Sequence, residues 1–312
     1  MSASLNAINP YTIEEMATNV GPAHIDICYQ RLGDSSAPPV VLIMGGAAQM
    51  IHWPDPFCRA LVDRGLQVIR FDNRDSGRST QITNAPPPDL PAVLAGDNSS
   101  ASYTLSDMAA DTVGLLDFLG IESAHIAGAS MGGQIAQTIA LEHPTRVRSL
   151  ISMMSSTGSM SIGQPTPEAM RQLFGGPPAV TREDVIKHRV MAMKAVGSPD
   201  YPSNEEELAA TAGRAWDRSF DLTAIARQAI ATVASGDRAE RLRNLKVPTL
   251  VIHGLADRMC DVSGGRAVAE AIPGSELILI EGMGHSLAPG LRPILANHIA
   301  DFVGRVERRG SA

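Results

Sequence analysis

Seven short stretches of the chain are almost continuously apolar: AHIDICYQRLG, PPVVLIMGG, LQVIRFDNRD, SAHIAGAS, VRSLISMMSS, VPTLVIHGLAD and SELILIEGMGH. Each is about strand length and lacks the alternation of a half-exposed strand, the pattern expected of strands buried on both faces of a mostly parallel sheet. Helix-length segments lie between them, including Leu105 to Leu119 and Gln134 to Leu141. The rhythm is βαβα and predicts a doubly wound α/β sheet flanked by helices. It breaks after VRSLISMMSS, and strand-like runs resume only at VPTLVIHG. The intervening residues predict an inserted helical cap, so the chain divides into a first core part (1–154), a cap (155–240) and a second core part (241–312). Within the insert, Ser203 followed by Glu206 reads as a capping box, Glu205 to Glu207 as a solvated, dipole-favourable helix start, and LTAIARQAIATVAS has helical spacing. The Pro-rich NAPPPDLPAVLAGDNSSAS predicts a long loop, and there is no internal repeat.

Composition narrows the functional class. Of 312 residues, 44% are hydrophobic and 19% charged, the profile of a globular protein. A net charge of -7 without a Lys/Arg cluster argues against nucleic acid or an anionic membrane as partner and favours small neutral molecules. No run approaches the roughly 18 apolar residues of a membrane span. The first twenty residues lack a secretory pattern, which makes a cytoplasmic enzyme the expectation. Cys28, Cys58 and Cys260 form no Cys-x-x-Cys pair and have no histidine at metal-ligand spacing, so each is expected as a buried apolar residue, with no metal site.

The informative stretch is AHIAGASMGGQIA, residues 124 to 136. Ser130 could simply cap a helix. A cap, however, does not require Gly128 and Gly132, whereas a sharp strand-to-helix turn that presents a nucleophile crowds its backbone and needs small neighbours. Such a serine needs a histidine base oriented by a carboxylate. Asp257 follows the run VPTLVIHG and His285 follows SELILIEG, giving the chain order Ser, Asp, His. Asp257 is favoured over Asp261 for its Gly-x-x-Asp setting. His125 and His253 fall inside strand-like runs and read as core residues, His298 as exposed on the terminal helix, and His52 as pocket lining. For the oxyanion, the amide of Met131 is placed by position, and Gly46 is favoured in VVLIMGGAAQM, with Gly45 or Ala47 as alternatives. A phosphate-cradling role for these glycines lacks both common phosphate-loop motifs.

Taken together, GASMGG, LIMGGAAQMIHWPDPF, RFDNRDSGRST, PTLVIHGLAD and GMGH resemble the α/β-hydrolase superfamily over about Ile25 to Phe302, and are most similar to its aclacinomycin methylesterase-like carboxylic ester hydrolases. The resemblance implies Ser130 as nucleophile, Asp257 and His285 as the other triad members, and Gly46 with Met131 as oxyanion donors. One departure is Met44, where many members carry histidine. The implied chemistry is hydrolysis of a small to medium, modestly apolar ester through an acyl-enzyme, with no metal or organic cofactor. Gly45, His52, Trp216, Met160 and Phe174 are expected to line the substrate pocket. Asp72, Arg74 and Asp75 are expected in a buried charge network, with Trp53 and Asp55 pinning the oxyanion loop. The same triad also serves perhydrolases, thioesterases, lactonases and carbon–carbon hydrolases, and a non-catalytic binding protein on this fold is the remaining alternative.

Overall fold

Each of the seven apolar runs forms a strand, and one further strand precedes them. The computed structural model describes residues 11, 13–176 and 179–310. Its strands are β1 (Glu15–Val20), β2 (Ile25–Leu32), β3 (Pro39–Ile43), β4 (Gln67–Phe71), β5 (Ala124–Ala129), β6 (Val147–Met153), β7 (Thr249–Gly254) and β8 (Glu276–Ile280). They form one eight-stranded sheet in the order β1-β2-β4-β3-β5-β6-β7-β8. β1 and β2 pair antiparallel, as do β2 and β4, and every later pairing is parallel. The sequence pattern does not show β1, because EMATNV buries only Ala17 and Val20 against its neighbours.

The helices are α1 (Asp55–Val62), α2 (Leu90–Leu94), α3 (Leu105–Phe118), α4 (Met131–Glu142), α5 (Pro167–Phe174), α6 (Arg182–Val196), α7 (Glu205–Arg218), α8 (Leu222–Ala234), α9 (Ala239–Leu242), α10 (Val262–Ala271) and α11 (Leu291–Gly310). Apolar residues of α3, α4 and α10 pack on one face of the sheet. Those of α1 and α11 cover the other, where Trp53 stacks on Phe57 with ring centroids 5.5 Å apart. Both faces of the central strands are therefore dry, which is why their sequences are continuously apolar rather than alternating. All three cysteines are free and buried. Among the described residues no helix is long and apolar enough to cross a membrane.

Chain order reverses at the middle of the sheet. From β3 the chain passes to β4 on one side, then returns to β5 on the other. The loops leaving the carboxyl ends of β3 and β5 thus diverge above one crevice, the place where open α/β sheets bind ligands. The first carries Gly45 and Gly46, and the second carries Ser130.

Five helices, α5 to α9, occupy the chain between β6 and β7. The cap of α7 differs from the expected capping box: Asn204, not Ser203, accepts from the Glu207 amide at 3.0 Å. Asparagine is an equally good N-cap, and its position one residue later places Glu205 to Glu207 in the first turn. The Pro-rich segment is also more ordered than a loop. Asp89 caps the short α2 through the Ala92 amide at 3.0 Å, and α2 packs against α8. His298 is half-buried rather than exposed.

Candidate active site

Ser130 ends β5 and stands at the N-cap position of α4, but its hydroxyl caps nothing. Its backbone lies at φ 56°, ψ -123°, a region L-residues rarely enter. Such a conformation costs about 1–3 kcal/mol and persists only where surrounding structure enforces it. Here the Ser130 amide donates to the Met153 carbonyl at 2.9 Å, and Ser155 Oγ donates to the Ser130 carbonyl at 2.8 Å. The flanking glycines have the predicted steric reason. A Cβ on Gly128 would overlap the Gly132 carbonyl, and one on Gly132 would overlap the Ile43 carbonyl. Gly45 passes equally close, since a Cβ there would lie 3.0 Å from Ser130 Cβ and 3.5 Å from its Oγ.

Asp257 and His285 meet beyond β7 and β8. Asp257 Oδ2 accepts from His285 Nδ1 at 2.7 Å, while Oδ1 accepts from the amides of Met259 and Cys260 at 2.9 and 2.8 Å. Three hydrogen bonds thereby fix the plane of this buried carboxylate. With Nδ1 bound to a carboxylate, the neutral ring carries its proton there and leaves Nε2 unprotonated. His285 and Ser130 face the same cavity. Asp261 instead caps α10 through the Ser263 amide. His253 is buried as expected, and its Nε2 bonds the Cys260 carbonyl at 2.8 Å. It also lies 3.6 Å from Asp257 Oδ2. Burial holds its pKa below the usual histidine value. His125 bonds Ser149 Oγ at 2.7 Å in the core, and burial lowers its pKa to about 4.

The loop after β3 is held from several sides. Asn73 Nδ2 donates to the Met44 carbonyl at 3.0 Å, and the Ala47 amide donates to Gln228 Oε1 of α8 at 3.0 Å. Gln228 Nε2 in turn reaches the Arg74 carbonyl at 2.9 Å. The Ala47 amide is therefore committed elsewhere, which removes it as an oxyanion donor. The amides of Gly46 and Met131 make no hydrogen bond among the described residues, and a Cβ on Gly46 would lie 3.6 Å from Met131 Sδ.

The DNRDSGRS segment forms the expected buried charge network, and this network also ties α7 and α8 to the sheet. Asp72 accepts from the Met50 amide at 2.7 Å and from Arg218 of α7 at 2.8 Å. Asp75 binds Arg227 of α8 at 2.7 and 2.8 Å and Tyr103 Oη at 2.8 Å. Arg74 forks onto Asp111 at 2.6 and 2.7 Å. Arg70 joins Asp55 at 2.6 Å and the Trp53 carbonyl, pinning the segment that follows the β3 loop.

The cavity over Ser130 has a volume of about 240 Å³. Gly45, Gly46, His52 and His285 line it, together with Arg189 and Met193 of α6 and Arg214 of α7. A smaller cavity of about 80 Å³ adjoins it, and His52 and Arg189 line both. Trp216 lines this second space, stacked on Phe220 at 4.7 Å, rather than the cavity over Ser130. Met160 is 58% exposed and lines neither, because it sits on the loop before α5 instead of on a helix facing the sheet. The Phe174 side chain lies outside the described residues. His52 accepts from the Gln49 amide at 3.0 Å through Nδ1. Burial, reinforced by Arg189, pushes its pKa down to about 3, so the ring is neutral. Sequence reasoning missed Gln228 and Arg189. Both sit on helices whose polar residues resemble a solvated face until the packing of the insert is known.

The fold and the strained serine turn define a class, that of hydrolases built on a mostly parallel sheet. Residues 38–288 match the family model described as the alpha/beta hydrolase fold, and the chain belongs to that family. It is 29% identical over 291 residues to a rhodomycin D methylesterase of Streptomyces peucetius, covering 86% of this chain and 91% of that one. It is 33% identical over 285 residues to a 2-hydroxy-6-oxononadienedioate/2-hydroxy-6-oxononatrienedioate hydrolase of Dechloromonas aromatica, covering 88% and 91%. Among solved structures, an enol-lactonase from Burkholderia xenovorans superposes with a TM-score of 0.70 at 22% identity, covering 93% and 100%, and shares the fold.

Proposed function

We propose that this protein is a carboxylic ester hydrolase working through Ser130, His285 and Asp257. The observation that carries the reading is the strained Ser130 facing one cavity with an imidazole whose Nδ1 is fixed by Asp257 at 2.7 Å. His285 Nε2 takes the Ser130 proton as Oγ attacks the ester carbonyl, and Asp257 stabilises the imidazolium that results. The tetrahedral oxyanion lies against the amides of Gly46 and Met131. The C–O bond to the alcohol breaks as His285 returns its proton to the leaving oxygen. Water, deprotonated by the same imidazole, then cleaves the acyl-enzyme and frees the acid. The methylesterase relative supports ester chemistry over the other reactions this arrangement can run.

Residues 155–240 act in this reading as a cap that sets specificity, closing the cavity with α6 and α7. Hydrolysis of p-nitrophenyl acetate, butyrate and octanoate beside Ser130→Ala tests the proposal. Activity should fall by about 10⁴-fold or more in the variant, as removal of a triad nucleophile does elsewhere. Undiminished activity in the variant would refute the assignment.

A further inference from the structure

Among the described residues, Arg189 and Arg214 line the cavity over Ser130 without an acidic partner, and Arg189 lacks even a hydrogen bond. Arg189 lies on α6, half-buried, where the main cavity meets the smaller one. Its guanidinium makes no hydrogen bond or ion pair with any described residue. The other charges around the main cavity are mostly accounted for. Asp55 is paired with Arg70 at 2.6 Å, and Glu207 with Arg292 at 2.6 Å. His52 is neutral. Arg214 reaches only the Thr211 hydroxyl of its own helix, at 3.5 Å. The surplus in this space is cationic, in a chain whose net charge is -7.

Other buried arginines of the protein behave differently. Arg74, Arg218 and Arg227 each grip a carboxylate, and those acids raise their pKa values. Arg238 has no acid in contact but donates to the Gly236 carbonyl at 3.0 Å. For Arg189 burial acts alone and lowers the pKa. A buried charge with no partner lowers folding stability, and such groups persist where a ligand completes them. The planar fork of arginine suits a carboxylate, which it binds through two parallel hydrogen bonds.

We propose that Arg189 binds a free carboxylate on the substrate, so that the site takes esters carrying a second, ionised acid group. The proposal rests on the ester hydrolase reading for the reacting end of the molecule. His52, whose Nδ1 lies 3.0 Å from the Gln49 amide and 3.1 Å from the Gln49 carbonyl, borders the same junction. Arg214 adds long-range attraction. The substrate therefore lies with its ester carbonyl at Ser130 and its carboxylate between α6 and the oxyanion loop.

The test uses Ser130→Ala protein, so that binding is read without turnover. Calorimetric titration compares monomethyl succinate, glutarate and adipate with their dimethyl esters, and wild-type turnover of the same compounds is measured alongside. At least one monomethyl ester should bind about 10- to 100-fold more tightly than its dimethyl counterpart, the range of a charge-assisted hydrogen-bonded pair. Adding Arg189→Gln should collapse that ratio to about twofold, and the melting temperature of Arg189→Gln protein should be unchanged or higher, because an uncompensated charge has been removed. Equal binding of the two series, or a ratio that survives Arg189→Gln, overturns the proposal. Ser130-dependent turnover of neutral esters with no carboxylate preference refutes the role of Arg189 and leaves the hydrolase reading intact. Carboxylate-selective binding without turnover of any ester does the reverse.

Discussion

At the scale of single residues, the site depends on backbone positions that side chains elsewhere hold in place. Ser130 has an unfavourable φ of 56°, and Ala47 on the facing loop has 55°. Ala47 keeps that conformation while its amide is bound by Gln228, so a helix of the insert holds the loop that carries Gly46. Gln228→Ala should therefore lower kcat by about tenfold with little change in KM, because a shifted donor weakens the transition state more than ground-state binding. Steady-state kinetics on p-nitrophenyl butyrate checks this; a rise in KM at constant kcat would place Gln228 in substrate binding instead. Asp257→Asn should leave the fold intact and reduce kcat by about 10⁴-fold, since the amide favours the wrong imidazole tautomer. A loss of tenfold or less would show that the His285 proton is placed by something other than Asp257.

Elements explain why some of this was legible in the sequence and some was not. β3, β5 and β7 are buried on both sides and β8 keeps the apolar run LILI although it is an edge strand, so their sequences announce them, and the residues just past their carboxyl ends could be read off in order: Gly45 and Gly46 after β3, Ser130 after β5, Asp257 after β7, His285 after β8. β1 stayed hidden because EMATNV buries only Ala17 and Val20 and shows no apolar run. The lining of the cavities by the insert was opaque for a different reason. Which face of α5 to α8 turns inward depends on long-range ion pairs, not on periodicity within a helix. Met160 looked like lining and is exposed, whereas Arg189, which nothing in the sequence pattern singles out, faces both cavities. The same ion pairs allow a test of how the insert is fastened. Arg218→Ala leaves Asp72 buried without its cation and should cost about 3 kcal/mol, read as a lowered urea midpoint. A change below about 0.5 kcal/mol would mean that α7 is held by packing alone.

For the whole molecule, the buried histidines set how stability responds to acid. His52 and His125 have folded pKa values of about 3 and about 4, below the unfolded value near 6.5. As pH falls below that value the unfolded chain binds protons that the folded chain cannot, so stability declines from about pH 6.5 toward 4, by up to about 1.4 kcal/mol per pH unit for each histidine. Above that window these two groups add no slope. His125→Gln should reduce the slope by about one proton's worth. Denaturant unfolding at neutral and mildly acidic pH tests this, and an unchanged slope would count against a neutral buried His125.

The account turns on Ser130 being an activated nucleophile, and covalent labelling reads that property without knowledge of the substrate. Purified protein treated with a fluorophosphonate should gain a single adduct by intact mass, located on Ser130 by peptide mapping. The adduct should be absent from Ser130→Ala and form far more slowly in His285→Ala. Folded wild-type protein that stays unlabelled, or carries the adduct on another residue, would contradict the account.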